Sequence, residues 1–395
     1  MTDATLLSFN AGSSSVKIGV FRIDANGPVK ITRGTIDFHR DPLTFYLGEG
    51  ADRIDFELEA NPGDDLFKIL SKTFSCLSSH VDIGRIAAIG HRVVHGGDWF
   101  AGPTLLDHST IGVIEALTPF APLHQPQSLG LIQAVREIRP DLPQAASFDT
   151  AFHRTNAAVV RRFAIPRGMH DRGIKRYGFH GLSYKSIATE LTRRTPEIAA
   201  GKVVIAHLGS GASLCAIEGG KSRDTSMGFS TLDGIPMATR CGALDPGVLL
   251  HMLDVEQQTP AQLADVLYHR SGLLGISGLS ADSRELLQSE EPEAREAIEL
   301  FTFRIAGEVA RLATTLGGID ALVFTAGVGE NQPSIRGDVC AHLMWLGVDL
   351  DPVANAVNAA VISSPASRIA VLVVPTDEEQ VIADEAHHVL GSELC

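Results

Sequence analysis

The sequence predicts an α/β protein built from two duplicated domains, each around a mixed sheet, and three observations carry that reading. At 395 residues the chain exceeds what one core ordinarily supports, so two domains are expected. Two distant stretches, Leu6 to Ser15 and Val203 to Ala212, repeat one pattern. Each is an apolar strand ending in a polar residue, then a tight turn of Gly, Ser and Ala, then a second apolar strand, Val16 to Phe21 or Ser213 to Ile217. Extended and helical periodicities also alternate along both halves.

In the first half, extended stretches cover 5–10, 16–23 and 30–38, and Arg53 to Leu58 lengthens the same sheet. Apolar spacing predicts a helix from Leu66 to Leu77, then a strand from Ile86 to Val94 that closes at Gly96-Gly97. Helices are expected over 109–118 and 126–138, and a strand from Gln144 to Phe148. In the second half, strands near 203–207 and 213–218 lead into extended chain as far as Met227. Helical patterns follow over 246–253, 260–269, 282–289 and 292–316, the last stopped by Gly317-Gly318. Next come a strand at 321–325, a helix near 333–345, an apolar strand from Ile369 to Val374 and a final helix over 377–390. Thr376 with Glu379 three residues on predicts a capping box, which assigns Glu378 rather than Glu379 to any cation. No Pro-rich linker marks a domain boundary, and the repeat places it near Asp149.

Composition narrows the function. Hydrophobic residues make up 44% and charged residues 20%, without low-complexity blocks, which argues against disorder. No apolar run approaches the roughly 20 residues a bilayer demands, so no membrane partner is expected. No basic stretch leads into an apolar one at the N-terminus, so no secretory signal is expected either. The five cysteines (76, 215, 241, 340 and 395) are odd in number and scattered, which fits a reducing cytosol rather than a disulfide or zinc framework. A net charge of −14 argues against a nucleic-acid partner. It leaves room for an anionic small substrate, because Arg92, Arg240 and Arg284 lie near the Gly-rich motifs.

Small residues at a strand–turn–strand junction let backbone N–H groups approach an anion. A third Gly-rich stretch, Thr325 to Asn331, ends the strand that starts at Ala321. Three such turns point to a nucleotide. Gly12 to Lys17 lacks the Walker A spacing and the strand-loop-helix context. His91 and His95 stand four apart as in a zinc helix, but their stretch is β-branched and lacks the accompanying Glu, so no metal role is assigned. His153 reads as structural, and His387 and His388 as solvated. Val93, Val94, Leu123 and Phe179 read as core on composition alone.

Two phosphate turns and an adenosine-type turn on duplicated halves resemble the actin-like ATPase superfamily. The local sequences narrow this to the acetate kinases. Asn10 to Lys17, Gly90 to Gly97, Phe148 to His153 and Arg176 to Gly181 look like acetate kinase signatures. So do Thr225 to Phe229, Thr239 to Gly242, Ser277 to Ser280 and Phe324 to Asn331. The resemblance runs in order from residue 6 to about residue 386. It implies two actin-like (ribonuclease H-like) domains with an interdomain cleft, one of residues 1–148 with about 379–395 and the other of 149–378. It also implies a cytoplasmic homodimer that joins through the second domain.

The implied reaction is reversible phosphoryl transfer from ATP to acetate, giving ADP and acetyl phosphate, with Mg²⁺ or Mn²⁺. By resemblance, Arg92 and Arg240 bind the carboxylate and the phosphoryl group, Asp149 positions the attacking oxygen or the cation, and His180 donates to the phosphoryl oxygens. Asn10 and Glu378 are the metal positions, and Val94, Leu123 and Phe179 the walls of an acyl pocket. Ser13, Ser15 and Lys17 occupy the first phosphate turn, and Gly209, Ser210 and Gly211 the second, with His124 and His207 along the phosphate path. Asp282, Ser283, Arg284, Gly327, Val328, Gly329 and Asn331 would hold the nucleotide.

Several positions depart from the commonest family form. Ser210 and Gln125 replace asparagines, Leu182 and Tyr184 replace threonine and histidine, Thr231 replaces a proline, and Ser283 lacks a bulky apolar side chain. None removes a charged catalytic residue. One methylene of pocket size changes discrimination by only about 1–3 kcal/mol, so propionate or butyrate remain alternative acceptors. An actin-like filament or chaperone ATPase would share the Gly turns but has no use for Arg92, His180 and Arg240 together.

Overall fold

The computed structural model describes residues 4–12 and 15–391; Ser13, Ser14 and Cys395 lie outside the described residues. The chain divides into two compact units, Met1–Phe152 with Asp377–Cys395, and His153–Thr376.

The first unit is built on strands β1 (Thr5–Ala11), β2 (Ser15–Asp24), β3 (Gly27–Asp37), β4 (Thr44–Leu47), β5 (Ile54–Glu57), β6 (Ile86–Val93), β7 (Thr104–Leu105) and β8 (Gln144–Phe148). They form one sheet in the order β5-β4-β3-β2-β1-β6-β8-β7. The second unit has β9 (Lys202–Leu208), β10 (Ala212–Glu218), β11 (Lys221–Thr225), β12 (Ala321–Thr325) and β13 (Ala370–Val373), in the order β11-β10-β9-β12-β13. In both sheets the first strand folds back as an antiparallel hairpin and pairs on its other side with a parallel strand. The run β3-β2-β1-β6-β8 therefore repeats as β11-β10-β9-β12-β13 with the same sense at every step. The repeat legible in the two turns extends across five strands.

Apolar residues fix which faces are covered. β1 and β9 are buried along nearly their whole length, as central strands covered on both faces must be. On one face of the first sheet, Leu7, Phe9, Ile18 and Ile89 pack with Ile69, Leu70 and Phe74 of the helix Leu66–Leu77 and with Leu131 and Val135 of the helix Gln125–Ile138. On the other, Leu6, Phe21, Ala88 and Ala145 meet Ala383, Ala386 and Leu390 of the helix Glu378–Leu390. Gly90 on β6 permits that approach, since a Cβ there would stand 2.7 Å from Ile382 Cγ2 and 3.1 Å from both Ala386 Cβ and the Ile382 carbonyl oxygen. In the second unit the helix Pro292–Leu316 ends where predicted, at Gly317 with φ of 67°.

Several local expectations are corrected. The final helix is capped by Asp377, whose side chain accepts from the Gln380 N–H at 3.0 Å. Thr376 is not the cap, and its hydroxyl has no hydrogen-bond partner among the described residues. Glu379 does not fold back; its carboxylate turns into the protein. The helix expected near 333–345 stops at His342 and gives way to a 3-10 turn, Met344–Leu346, ended by Gly347. The third Gly-rich stretch is not an open turn but a short helix, Ala326–Asn331, entered through Ala326 at φ of 66°. The helix Gly181–Arg194 and the strands β4 and β7 were not anticipated.

Candidate active site

Parallel pairing of β1, β6 and β8 brings their C-terminal ends to one edge of the first sheet, the usual location of a ligand site in such sheets. Asn10 lies at the end of β1, Arg92 at the end of β6, and Asp149 directly after β8. Arg92 Nη2 donates to Asp149 Oδ2 at 2.6 Å, and its Nε lies 3.3 and 3.2 Å from the two carboxylate oxygens. Arg92 Nη1 donates to Asn10 Oδ1 at 3.0 Å. Asn10 in turn gives its amide hydrogens to Glu378 Oε2 and Glu379 Oε1, each at 2.8 Å. Its amide is thus fully committed, with the oxygen toward the guanidinium and the nitrogen toward two carboxylates. Asp149 is wholly buried, and Asn10, Glu378 and Glu379 nearly so. Burial opposes the Arg92 charge, but Asp149, Glu378 and Glu379 outweigh it and hold the guanidinium above its usual range.

Glu379 belongs to this cluster as fully as Glu378, which sequence reasoning missed because it assigned Glu379 to a cap. The gathered donors are hard oxygens, and Mg²⁺ commonly takes only one or two protein carboxylates and completes its shell with water and phosphate oxygens. The residues present therefore fit that ion. Among the described residues, no group of three or more His, Cys, Asp or Glu side chains forms a closed metal cage. Across the hairpin, Lys17 lies in register with Asn10, which puts both on one face of the sheet, Lys17 exposed. Ser15 is half-buried at the start of β2.

In the second unit the hairpin β9–β10 closes through Gly209, Ser210 and Gly211, and Ser210 is exposed at the tip. Register places Ser213 opposite His207, so both face the same side. His180 precedes the helix Gly181–Arg194 in a left-handed conformation, with φ of 54°. Its Nδ1 meets Ser213 Oγ at 2.8 Å, and its ring stacks on His207 with centroids 4.2 Å apart. Ser183 Oγ holds His207 Nδ1 at 2.8 Å, and Tyr184 OH meets Ser213 Oγ at 2.5 Å. A Cβ added to Gly211 would lie 3.4 Å from His180 Nε2 and 3.6 Å and 3.7 Å from Arg240 Nη2 and Nη1. A ring nitrogen and a guanidinium thus approach the same spot beside Gly211, where the turn carries no side chain. Arg240 is steadied by the Thr231 carbonyl at 3.1 Å, and Ala238 N–H donates to the Ser210 carbonyl at 3.3 Å, tying its segment to the turn.

The predicted nucleotide residues form two adjoining pieces. Asp282 caps the short helix Ser283–Gln288 and pairs with Arg284 at 2.5 Å, which holds its carboxyl below the usual range. Ser283 is buried and donates to Gln332 Oε1 at 2.9 Å, just past the helix bearing Gly327, Val328, Gly329 and Asn331. Gly329 is buried, Gly327 and Asn331 are exposed, and Asn331 Nδ2 donates to the Gly327 carbonyl at 2.9 Å. Glu330 Oε1 accepts from the N–H of the strained Ala326 at 2.8 Å. Arg336, wholly buried, donates to the carbonyls of Gly329 and Glu330 at 2.9 and 3.0 Å and so closes the helix end. A buried arginine satisfied by neutral acceptors left no signal in the sequence.

The remaining expectations fall as follows. Val94 in the first unit and Phe179 in the second are buried, whereas Leu123 is 47% exposed beside the half-buried His124. His153 is structural, its nitrogens 2.9 Å from Ser222 Oγ and the Phe179 carbonyl. His91 is held by Gln144 Oε1 at 2.7 Å, and His95 Nδ1 accepts from Gly97 N–H at 3.0 Å. Burial pushes His91, His95 and His153 each down to about 4. His388 is exposed, while His387 is half-buried. Among the described residues no helix is long and apolar enough to cross a membrane.

The Acetokinase family profile matches residues 5–384. An acetate kinase of Nitrobacter hamburgensis is 45% identical over 96% of this chain and 94% of its own length, and one of Rickettsia felis is 41% identical over 98% and 99%. Among solved structures, a propionate kinase from Francisella tularensis superposes with a TM-score of 0.90 at 34% identity, covering 98% of this chain and 100% of its own. Porphyromonas gingivalis acetate kinase does so with a TM-score of 0.86 at 33% identity, over 98% and 100%. The fold is accordingly the mixed α/β, actin-like one that the sequence predicts. This chain belongs to the acetokinase family.

Proposed function

We propose that the protein is an acetate kinase that transfers a phosphoryl group between ATP and acetate by in-line displacement, reversibly and with Mg²⁺. As a member of its family it is a phosphotransferase with a carboxyl acceptor. The observation that carries the mechanism is the approach of His180 Nε2 and the Arg240 guanidinium to one point beside Gly211, each within 4 Å of where a Cβ would stand. Such a pair matches the charge spread over the equatorial oxygens of a loose, metaphosphate-like transition state.

Acetate is ionised at neutral pH and needs no base, so Asp149 acts by position. Its two-point grip fixes the Arg92 plane, and one Nη2 hydrogen of Arg92 has no partner among the described residues and is available to an incoming carboxylate. Asn10 and Glu378, with Glu379 beside them, would hold Mg²⁺, which supplies charge neutralisation on the phosphates. In the first unit Ser15, Lys17 and His124, and in the second the 209–211 turn with His207, are assigned to phosphate oxygens, and Ser283, Gly327 and Asn331 to the nucleoside. We further assign the protein to the cytoplasm, as a homodimer through its second unit. The superposition on a propionate kinase supports a second reading, in which propionate is the preferred acceptor.

The test is purified enzyme with Mg-ATP and acetate, propionate or butyrate, the acyl phosphate being trapped as its hydroxamate. Acetate-dependent product with the highest kcat/KM of the three is expected. A higher value for propionate selects the second reading, and ATP hydrolysis without acyl phosphate overturns both.

A further inference from the structure

We propose that Tyr184, acting through Ser213, sets the tautomer of His180 so that Nε2 carries the ring hydrogen that faces the Gly211 turn; the catalytic value of this arrangement rests on the function proposed above. Tyr184 is a positioning residue in this scheme, and Ser213 is its relay.

The geometry is a chain of three polar groups. Tyr184 stands four residues after His180, one helical turn on, so the phenol and the imidazole share a face. Ser213 Oγ lies between them, 2.5 Å from the Tyr184 hydroxyl and 2.8 Å from His180 Nδ1. Tyr184 and Ser213 are both fully buried. A serine hydroxyl has one hydrogen to give, so it can donate to only one of these neighbours. A phenol is the stronger acid and its oxygen the poorer acceptor, because ring conjugation withdraws its lone pair. Tyr184 O–H therefore donates to Ser213 Oγ, and Ser213 O–H donates to His180 Nδ1. With Nδ1 accepting, a neutral imidazole carries its hydrogen on Nε2, the atom beside the Gly211 turn and the Arg240 guanidinium. The opposite direction would put the hydrogen on Nδ1 and turn a bare lone pair toward the anion, which repels it.

The residue type at position 184 makes this a property of the chain. A tyrosine hydroxyl ordinarily keeps its hydrogen across the neutral range and so has one to give to Ser213.

Uniformly ¹⁵N-histidine-labelled enzyme, observed by long-range ¹H–¹⁵N correlation at neutral pH, reads the tautomer directly. The His180 signals are identified by their loss in His180→Asn, a residue tolerant of the left-handed backbone. The wild type is expected to show a pyridine-type Nδ1 and a pyrrole-type Nε2. Tyr184→Phe and Ser213→Ala are each expected to shift His180 to a mixture of tautomers. In the acyl phosphate assay, Tyr184→Phe should lower kcat about tenfold with both KM values within twofold. That is far less than the roughly 10⁴-fold loss when a catalytic histidine is locked in the wrong tautomer, because an undirected ring still visits the right one. The double variant Tyr184→Phe/Ser213→Ala should be no slower than the slower single variant.

A protonated Nδ1 in the wild type, an unchanged spectrum in Tyr184→Phe, or losses that multiply in the double variant would each overturn the relay. Should Tyr184→Phe not fold, the Ser213→Ala spectrum decides by the same criterion. An intact Nε2–H pattern in a protein that makes no acyl phosphate would support the relay and remove the catalytic reading instead.

Discussion

Replacing Gly90 by alanine tests whether close seating of the helix Glu378–Leu390 is what presents its carboxylates to Asn10. The backbone at Gly90 lies outside the positive-φ region, so alanine fits it. By itself the change should stabilise the protein by about 0.4–1 kcal/mol through the unfolded chain. Against that stands the new Cβ, 2.7 Å from Ile382 Cγ2 where carbon atoms ordinarily rest about 3.5–4.0 Å apart. Relief requires the helix to retreat by roughly 1 Å at Ile382, and overpacking of this kind costs about 1–3 kcal/mol. A net loss of about 1–2 kcal/mol is expected, read by urea unfolding. Glu378 lies one turn from Ile382, so the same retreat lengthens the 2.8 Å bonds from Asn10 toward the limit of useful hydrogen bonding. The apparent KM for Mg²⁺, measured at saturating ATP and acetate, should rise severalfold while kcat at saturating Mg²⁺ changes little. Ile382→Ala added to Gly90→Ala removes the nearest clashing atom and should recover part of the KM change. A Gly90→Ala protein with unchanged KM for Mg²⁺ and equal or greater stability would refute the reasoning.

Arg240→Ala should slow turnover by about 10³–10⁵, the scale of a lost arginine finger, or roughly 4–7 kcal/mol of barrier. A loss under tenfold in the hydroxamate assay removes Arg240 from the transition state. Ser210→Asn alters an exposed position at the tip of the second turn, so the KM for ATP should change more than kcat. Acid should destabilise the fold in a defined window. His91, His95 and His153 titrate near 4 when folded and near 6.5 when unfolded. The unfolded chain therefore binds more protons in between, so stability is full above about pH 6.5 and falls as pH drops toward 4. Three such groups give a slope of about 4 kcal/mol per pH unit near pH 5. His91→Gln should flatten that slope by about a third in urea titrations at several pH values.

Much of this fold was legible because local pattern and tertiary role agree. The β1/β2 and β9/β10 hairpins announce themselves through largely apolar strands joined by small residues, and the helix Pro292–Leu316 through its spacing and its Gly317 stop. Arg92, Asp149, Asn10 and Glu378 were named from sequence, and the first unit brings the four together. What escaped depends on long-range contacts. Thr376 and Asp377 can both cap a helix, and the pull of Asn10 on Glu379 decides between them. β7 has two residues and exists only through pairing with β8. Ala326 is an unusual residue for positive φ, held there by Glu330 and by the buried Arg336 behind it. The helix Gly181–Arg194 did carry a signal in Leu182, Ile187 and Leu191, masked by the glycine and polar residues of its first turn.

The first unit is discontinuous in sequence, and this has a consequence for biosynthesis. Translation delivers residues up to Phe152 early, then the whole of His153–Thr376, and only afterwards the helix Glu378–Leu390. Until that helix emerges, Leu6, Phe21, Ala88 and Ala145 form a bare apolar sheet face on a nascent chain. The second unit, contiguous, can finish folding while the first waits. Ribosome-bound chains should therefore pass through a stage with one native unit and one exposed sheet, the state most open to chaperone capture or aggregation. The two carboxylates that meet Asn10 arrive on that same late helix, so assembly of the buried Asn10–carboxylate cluster and closure of the core are one event.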